Sequence, residues 1–240
     1  MKRVLITGAS SGLGKSLALL YAQNGCQVIA CGRNQSRLNE LTSQHNNITT
    51  LNFEITDKHQ VLATLAPLTT IDLAILNAGN CEYIDDVTQF DADLFQRVIT
   101  TNLIATGYLL QALGHKITAG GRIAFVSSSV TYLPFPRAQA YGASKAGVEY
   151  LARTMALDLK KHNIHVSVIR PGFIQTPLTD KNNFSMPFLI TSQQAAQAVI
   201  NGLEKGKDLI EFPKRFILIL KLLNRLPDIL WSKIMARNAM

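Results

Sequence analysis

The chain predicts an α/β fold: a doubly wound parallel sheet in a single domain, followed by a helical C-terminal extension. Three observations carry this expectation. Short β-branched apolar runs alternate with stretches of helical spacing along most of the 240 residues, the pattern of strands joined by helical crossovers. The first apolar run leads directly into Thr7-Gly8-Ala9-Ser10-Ser11-Gly12-Leu13-Gly14, a glycine-spaced turn that opens a helix. No Pro/Ser-rich linker, repeat or low-complexity tract divides the chain, so the economical division is one domain over residues 1–212 and an extension over residues 213–240.

Taken in order, Arg3–Thr7 is the apolar, β-branched run that a buried parallel strand needs. Leu17, Leu20 and Tyr21 then set a helical period over Leu13–Gln23, and Cys26–Cys31 returns as the second strand of a βαβ unit. A helix over about Gln35–Gln44 leads to a strand at Ile48–Phe53, and a helix near Asp57–Leu65 leads to a strand at Ile71–Leu76. One long helix is expected over Asp91–Ile117, followed by a strand at Arg122–Val126. Helix Gln139–His162 precedes strand Ile164–Ile169. Thr191 and Gln194 have the spacing of a capping box for a helix ending near Glu204, and Leu209–Phe212 reads as an edge strand. In such sheets ligands bind beyond the carboxyl ends of the strands.

The glycine turn is the first chemical feature. A strand, a glycine-rich turn and a helix N-terminus together offer free N–H groups and the positive end of a helix dipole to an anion. Glycine is needed where backbone approaches a pyrophosphate or takes positive φ. An ordinary glycine-rich βα turn is the alternative, which the timely second strand disfavours. At the end of that strand stands Cys31-Gly32-Arg33-Asn34, and the first acid of the whole chain is Glu40. A dinucleotide carrying a 2′-phosphate suits a cation at this place, whereas one with a free 2′-hydroxyl suits an acid. Arg33 therefore points to NADP(H) over NAD(H); the competing account is a solvated loop arginine.

Tyr141-Gly142-Ala143-Ser144-Lys145 is the second feature. A free phenol has a pKa of about 10. A lysine at i+4 sets an ammonium beside it, and a cationic nicotinamide would add a second charge, both favouring phenolate. Ser128, thirteen residues upstream at a strand end, places a hydroxyl where it can stabilise a developing oxyanion. Tyr141 and Ser128 thus supply polarisation without a metal, and no metal site is expected.

Thr7-Gly-x-x-x-Gly-x-Gly14, Asn77-Ala78-Gly79, Asn102, Ser128, Tyr141-x-x-x-Lys145 and Pro171-Gly172 together resemble the short-chain dehydrogenase/reductase family, in its branch of roughly 250 residues, over about residues 1–205. The resemblance implies a Rossmann-type sheet and a catalytic tetrad of Asn102, Ser128, Tyr141 and Lys145. It selects Ser128 over Ser127 and Ser129, which are then turn residues. It gives Lys145 the nicotinamide ribose hydroxyls as well, and Asn102 a water held near Lys145, with helix capping or core packing as the alternative for Asn102. It implies cofactor contacts from Gly8, Ser10, Ser11, Gly12, Leu13 and Gly14. Glu54-Ile55 stands where relatives carry Asp-Val beside the adenine, and Asn77, Ala78 and Gly79 line the adenine ribose. Pro171, Gly172, Ile174 and Thr176 complete the nicotinamide side. Pro177–Ile190 becomes a substrate loop, whose Phe184, Met186, Phe188 and Leu189 suggest an apolar lid.

The implied activity is NADP(H)-dependent hydride transfer to a carbonyl, or from a secondary alcohol, on an apolar small molecule; a non-catalytic NADP(H)-binding sensor or scaffold is the alternative. A homo-oligomer is expected, as is usual for the family.

Composition narrows the setting. Hydrophobic residues make up 47% of the chain, enough for a sizeable core. Met1-Lys2-Arg3 runs into the first strand without a signal peptide, and three cysteines (Cys26, Cys31, Cys81) lack metal or redox spacing, so they read as reduced core residues of a cytoplasmic protein. From Phe212 onward six cations (Lys214, Arg215, Lys221, Arg225, Lys233, Arg237) face one acid, Asp228, a net +5 of the formal +8. Apolar residues and Trp231 lie between them, and Pro227 separates two short helices. A wide apolar arc with a basic stripe suits the surface of an anionic membrane, packing over the substrate cleft, or a second subunit. Nucleic acid is not an expected partner, because no stacking platform accompanies the cations.

Overall fold

The computed structural model describes residues 1–238; Ala239 and Met240, and the side chains of Lys181, Ala236, Arg237 and Asn238, lie outside the described residues. Strands β1 (Arg3–Thr7), β2 (Gln27–Gly32), β3 (Ile48–Asn52), β4 (Ile71–Leu76), β5 (Ile117–Val126) and β6 (His165–Pro171) lead to a short pair, β7 (Ile174–Gln175) and β8 (Ile190–Thr191), and to β9 (Leu209–Phe212). Seven of them form one parallel sheet in the order β3-β2-β1-β4-β5-β6-β9, and β7 pairs with β8 apart from it.

Alternation along each strand assigns its side chains to two core layers. Val4 and Ile6 of β1, and Leu73 and Ile75 of β4, pack with α1 (Gly12–Gln23), α2 (Gln35–Thr42) and the later helix over Ser192–Glu204. Leu5, Ala74 and Phe125 face the opposite layer, with α3 (Lys58–Leu65) and the helices over Ala105–Leu113 and Gln139–Leu159. Each fully buried aliphatic or phenyl side chain contributes about 1.5–3 kcal/mol, so a register slip of one residue would sacrifice both layers. The strand order reverses between β1 and β4, and a crevice opens there at the carboxyl ends.

The helix starts follow the local chemistry. Asp57, Asp91 and Thr191 each accept a backbone N–H from the first turn, and Thr191 with Gln194 closes the expected capping box. Such a cap is worth about 1 kcal/mol.

The largest departure from the sequence-based expectation is the segment Asp91–Ile117. It is not one helix. α4 (Ala92–Ile99) passes into a π-helical turn at Thr100–Ile104, α5 follows over Ala105–Leu113, and Ile117 already belongs to β5. Strand β5 thus begins five residues before the expected Arg122, with a register irregularity opposite Ile71 and Leu73. The π turn widens the helix by one residue, and within it the Asn102 carbonyl accepts the Thr106 hydroxyl at 2.7 Å. Helix α6 (Gln139–Leu159) ends in a short 3-10 turn, and Asn163, in the left-handed region at φ 55°, leads into β6. α7 (Ser192–Glu204) precedes β9.

The extension forms α8 (Lys214–Leu223) and α9 (Asp228–Asn238), separated at Pro227 as expected. One face packs on the chain's own domain: Phe216, Leu220 and Trp231 are buried with Leu133, beside Phe135 and Phe173. One placement left open is decided here, and one expectation is corrected. Trp231 does not face outward; its Nε1–H donates to the Pro134 carbonyl at 2.8 Å and its ring meets Phe135 edge-on. Lys221 is not part of a free basic stripe, because its ammonium pairs with Glu211 of β9.

Candidate active site

The crevice is a cleft of about 340 Å³ at the carboxyl ends of β1, β4, β5 and β6. One side of it is the glycine turn. Gly8 has φ +66°, and a Cβ there would stand 2.9 Å from the Ala78 Cα, so both the conformation and the approach of β4 exclude a side chain. Gly14 lies outside the cleft wall, and its part is different. A Cβ on it would meet the Gly8 carbonyl at 2.2 Å, so glycine lets α1 lie close on the turn. Ser11 caps α1 in extended conformation without a side-chain bond to the first turn, which leaves those N–H groups for a ligand. The buried Thr7 hydroxyl accepts from the N–H groups of Asn77 and Ala78 at 3.0 and 3.1 Å, and Asn77 Nδ2 donates to the Thr7 carbonyl at 2.9 Å. These bonds lock the Asn77-Ala78-Gly79 segment against the glycine turn.

Nearly every residue that the sequence proposed for a dinucleotide lines this one cleft. Gly8, Ser10, Ser11, Gly12 and Leu13 stand at one end, and Arg33, Glu54 and Ile55 at the rim. Asn77, Ala78 and Gly79 form the floor, with Pro171, Gly172, Ile174 and Thr176 opposite and Ser128, Tyr141 and Lys145 beyond. Gly14 and Asn102 do not line it. An uncapped helix N-terminus, a glycine wall and a buried ammonium are a donor set that fits a dinucleotide diphosphate and its ribose hydroxyls.

On the α6 side, the Lys145 ammonium is buried, 5.8 Å from the Tyr141 ring centroid, and donates to the Val126 carbonyl at 2.9 Å. Burial pushes its pKa down to about 8. Without the charge of a bound nicotinamide, burial holds the Tyr141 phenol above its ordinary value; the neighbouring Cys81 adds to this, and the nearby Ser128 hydroxyl opposes it. Ser128 also accepts from the Val130 N–H at 3.2 Å, which orients its hydroxyl. Asn102 is spent on a backbone clamp: Oδ1 accepts from the Asn80 N–H at 2.8 Å, while Nδ2 donates to the Asn80 carbonyl and to Ser144 Oγ, both at 2.9 Å. The π turn aims it at the loop after β4, one wall of the cleft.

Arg33 reaches the rim, with its side chain 80% exposed and Nη1 3.2 Å from Glu54 Oε2. Burial alone would raise the Glu54 carboxyl, but hydrogen bonds from the Thr56 N–H and from Arg33 carry it below its ordinary value.

Two groups escaped the sequence reading. Ser127, taken for a turn residue, is buried and donates to Glu149 Oε1 at 2.7 Å. Glu149 also accepts from Thr131 and forms two bonds with Arg170, at 2.7 and 2.6 Å. Arg170 continues to Glu211 at 3.2 Å, and Glu211 takes Tyr132 and Lys221. Burial would raise the Glu149 carboxyl, yet bonds from Arg170, Ser127 and Thr131 hold it below the usual range. The visible signal was an acid one turn beyond Lys145 in an otherwise apolar stretch, and an arginine ending a buried strand. The second group is Cys81 with Tyr83. Cys81 is a free thiol near Lys145 and Tyr141, not a core residue, and the Tyr83 hydroxyl donates to it. Tyr83 also meets Phe184 of the loop edge-on, with 5.6 Å between ring centroids.

A doubly wound sheet whose switch-point cleft joins an uncapped glycine turn to a tyrosine–lysine helix defines an oxidoreductase that takes a nicotinamide dinucleotide. The chain belongs to the short-chain dehydrogenase family, whose model, described as short chain dehydrogenase, matches residues 2–186. It is 29% identical over 244 residues to an uncharacterised oxidoreductase of Myxococcus xanthus, covering 96% of this chain and 95% of that one. A solved short-chain dehydrogenase from Sphingobium yanoikuyae, in complex with NADPH, is 25% identical with a TM-score of 0.81, covering 98% of this chain and 96% of that one. Another from Burkholderia phymatum, in complex with NAD, reaches 0.82 at 17% identity over 92% of both chains. Among the described residues no helix is long and apolar enough to cross a membrane.

Proposed function

We propose that the protein is an NADPH-dependent carbonyl reductase, or an alcohol dehydrogenase in the reverse direction, acting on an apolar substrate. The observation that carries this reading is the meeting of Tyr141, Ser128 and Lys145 in the same cleft as the glycine turn. The turn and the N–H groups of α1 would hold the diphosphate, Asn77–Gly79 the adenine ribose, and Pro171, Gly172, Ile174 and Thr176 the carboxamide side. Glu54 and Ile55 would flank the adenine, and Arg33 would meet a 2′-phosphate. When bound, the reduced nicotinamide supplies hydride to the carbonyl carbon.

The protein's own residues handle the proton. The raised phenol of Tyr141 is protonated at neutral pH, the state needed to donate to a carbonyl oxygen. Ser128, which lines the same cleft as Tyr141, donates to the same oxygen as charge builds on it. Lys145 offers its remaining N–H groups to the ribose hydroxyls and stabilises the phenolate left behind. Asn102 acts by holding the Asn80 loop, with any water relay to Lys145 running beside that clamp. Phe184, Phe188 and Leu189 stand half-exposed on the substrate loop, which favours an apolar substrate.

The test is NADPH oxidation against a panel of carbonyls. Tyr141→Phe should abolish turnover and leave NADPH binding intact; normal turnover would sink the assignment. Tight NADPH binding without turnover on any carbonyl would return the sensor or scaffold reading.

The reading includes a homo-oligomer. Ala143, Ala146, Tyr150, Arg153 and Leu157 form an exposed stripe along α6, with Tyr150 and Leu157 75% and 76% exposed. A cytoplasmic place accords with three free thiols.

A further inference from the structure

The extension buries one face and leaves another bare. Leu218, Ile219 and Leu222 of α8, and Ile229, Leu230 and Ile234 of α9, are between 39% and 68% exposed. The substrate loop, with Phe188 and Leu189 half-exposed, packs against α8 at its buried Phe216. The Phe188 ring lies 6.1 Å from Phe216 of α8, and Phe173 bridges Phe216 and Phe184 at 5.4 and 6.1 Å. Lys214, Arg215, Arg225 and Lys233 are exposed on the same two helices, and none pairs with an acid among the described residues. Asp228 is the one acid of the segment.

We propose that this face docks on an anionic lipid bilayer and that the adjoining loop takes its carbonyl substrate from the lipid. The second half rests on the carbonyl-reductase reading above; the first does not. Apolar side chains at the acyl boundary with cations at headgroup level is the arrangement of an interfacial helix pair. Each cation near an anionic surface multiplies partitioning by about fivefold. Charge also selects among occupants. A two-fold contact sets a surface patch against its own copy, and here that would press like-charged rims together with one acid per chain to offset them. A bilayer of anionic lipid supplies the opposite sign.

The experiment is flotation of the full chain with mixed phosphatidylglycerol–phosphatidylcholine vesicles, against pure phosphatidylcholine, at low and high salt. The protein should float with the anionic vesicles at low salt and release at high salt. Two double variants of exposed residues, Leu218→Gln with Leu222→Gln and Lys214→Glu with Arg225→Glu, should each cut partitioning by at least about tenfold. Both should keep the circular dichroism spectrum and the turnover of a water-soluble aldehyde. Turnover of dodecanal dissolved in the vesicles should fall in step with partitioning. Failure of the wild-type chain to float, or a Leu218/Leu222 variant that floats normally, overturns docking. Loss of an oligomer in light scattering, without a change in flotation, assigns the face to a second copy instead. Equal dodecanal turnover by wild type and variants overturns delivery from the lipid. Flotation reads docking whether or not any carbonyl reacts, so failure of the enzyme reading shows separately.

Discussion

Lys145 is a buried ammonium with a single backbone partner at 2.9 Å, and its charge is correspondingly easy to lose. With its pKa near 8 in the empty protein, the charge that favours a dinucleotide fades as pH rises through that value. NADPH affinity should weaken across it, and Lys145→Arg, which stays charged, should flatten the step; fluorescence titration over pH reads this directly. The linked stability change has the opposite sign. Between about 8 and the ordinary lysine value of 10.5 the unfolded chain binds more protons, so the cofactor-free protein gains stability with pH over that window. Arg33 yields a paired prediction. A charge-assisted contact to a 2′-phosphate is worth roughly 1.5–3 kcal/mol, so Arg33→Ala should weaken NADPH about ten- to a hundredfold and spare NADH. Because Glu54 competes for the same guanidinium, Glu54→Gln should move the NADPH-to-NADH preference the other way. Calorimetry with both cofactors checks the pair, and equal losses for both in Arg33→Ala would remove the phosphate assignment. Arg33 was legible as the end of a second strand. Its partner was not, because Glu54 arrives beside it only when β3 pairs with β2.

At the scale of elements, the Glu149–Arg170 pair ties α6 to β6 directly behind Ser127 and Ser128. Removing one partner of a buried pair costs about 3–5 kcal/mol, because the other charge stays behind unpaired. Arg170→Met should therefore lower the thermal midpoint by roughly 6–20 °C in a chain of this size. Acid should act through the same carboxylate. Its folded pKa is depressed, so its contribution is present above the unfolded value of about 4.5 and is lost as pH falls through the folded one. Glu149→Gln should remove that acid-dependent loss, and denaturant midpoints measured down the acid range read it. The sequence carried the two charges but not their pairing. It also concealed the π turn at Thr100–Ile104, since one extra residue in a helix leaves an apolar periodicity nearly intact. The Asn102 side chain within that turn bonds to Asn80 and Ser144, 22 and 42 positions away, and such partners are not a local propensity.

For the whole molecule, the extension is held by a few anchors, Trp231 foremost. Trp231→Ala should release α9 to protease while leaving the midpoint of the sheet domain nearly unchanged, because the contacts it loses lie outside the two main core layers. Limited proteolysis beside a thermal melt separates these outcomes. What the sequence by itself determined is whatever is written at short range. The strand–helix alternation, the glycine turn, the capping box at Thr191, and a phenol and an ammonium one helical turn apart all follow from spacing within a few residues. Backbone sterics and helical period act over that distance, so these features survived intact. What only the tertiary structure decided is where each charge and ring finds its partner. Trp231 turns inward to a carbonyl 97 positions away, Glu211 receives a hydroxyl 79 positions away, and Cys81 stands half-buried near Lys145 and Tyr141. Burial likewise raises the Tyr141 phenol in the absence of a cofactor, an effect that residue spacing does not show. Desolvation and pairing are sums over everything packed around a group, and that surrounding exists only once the sheet has closed.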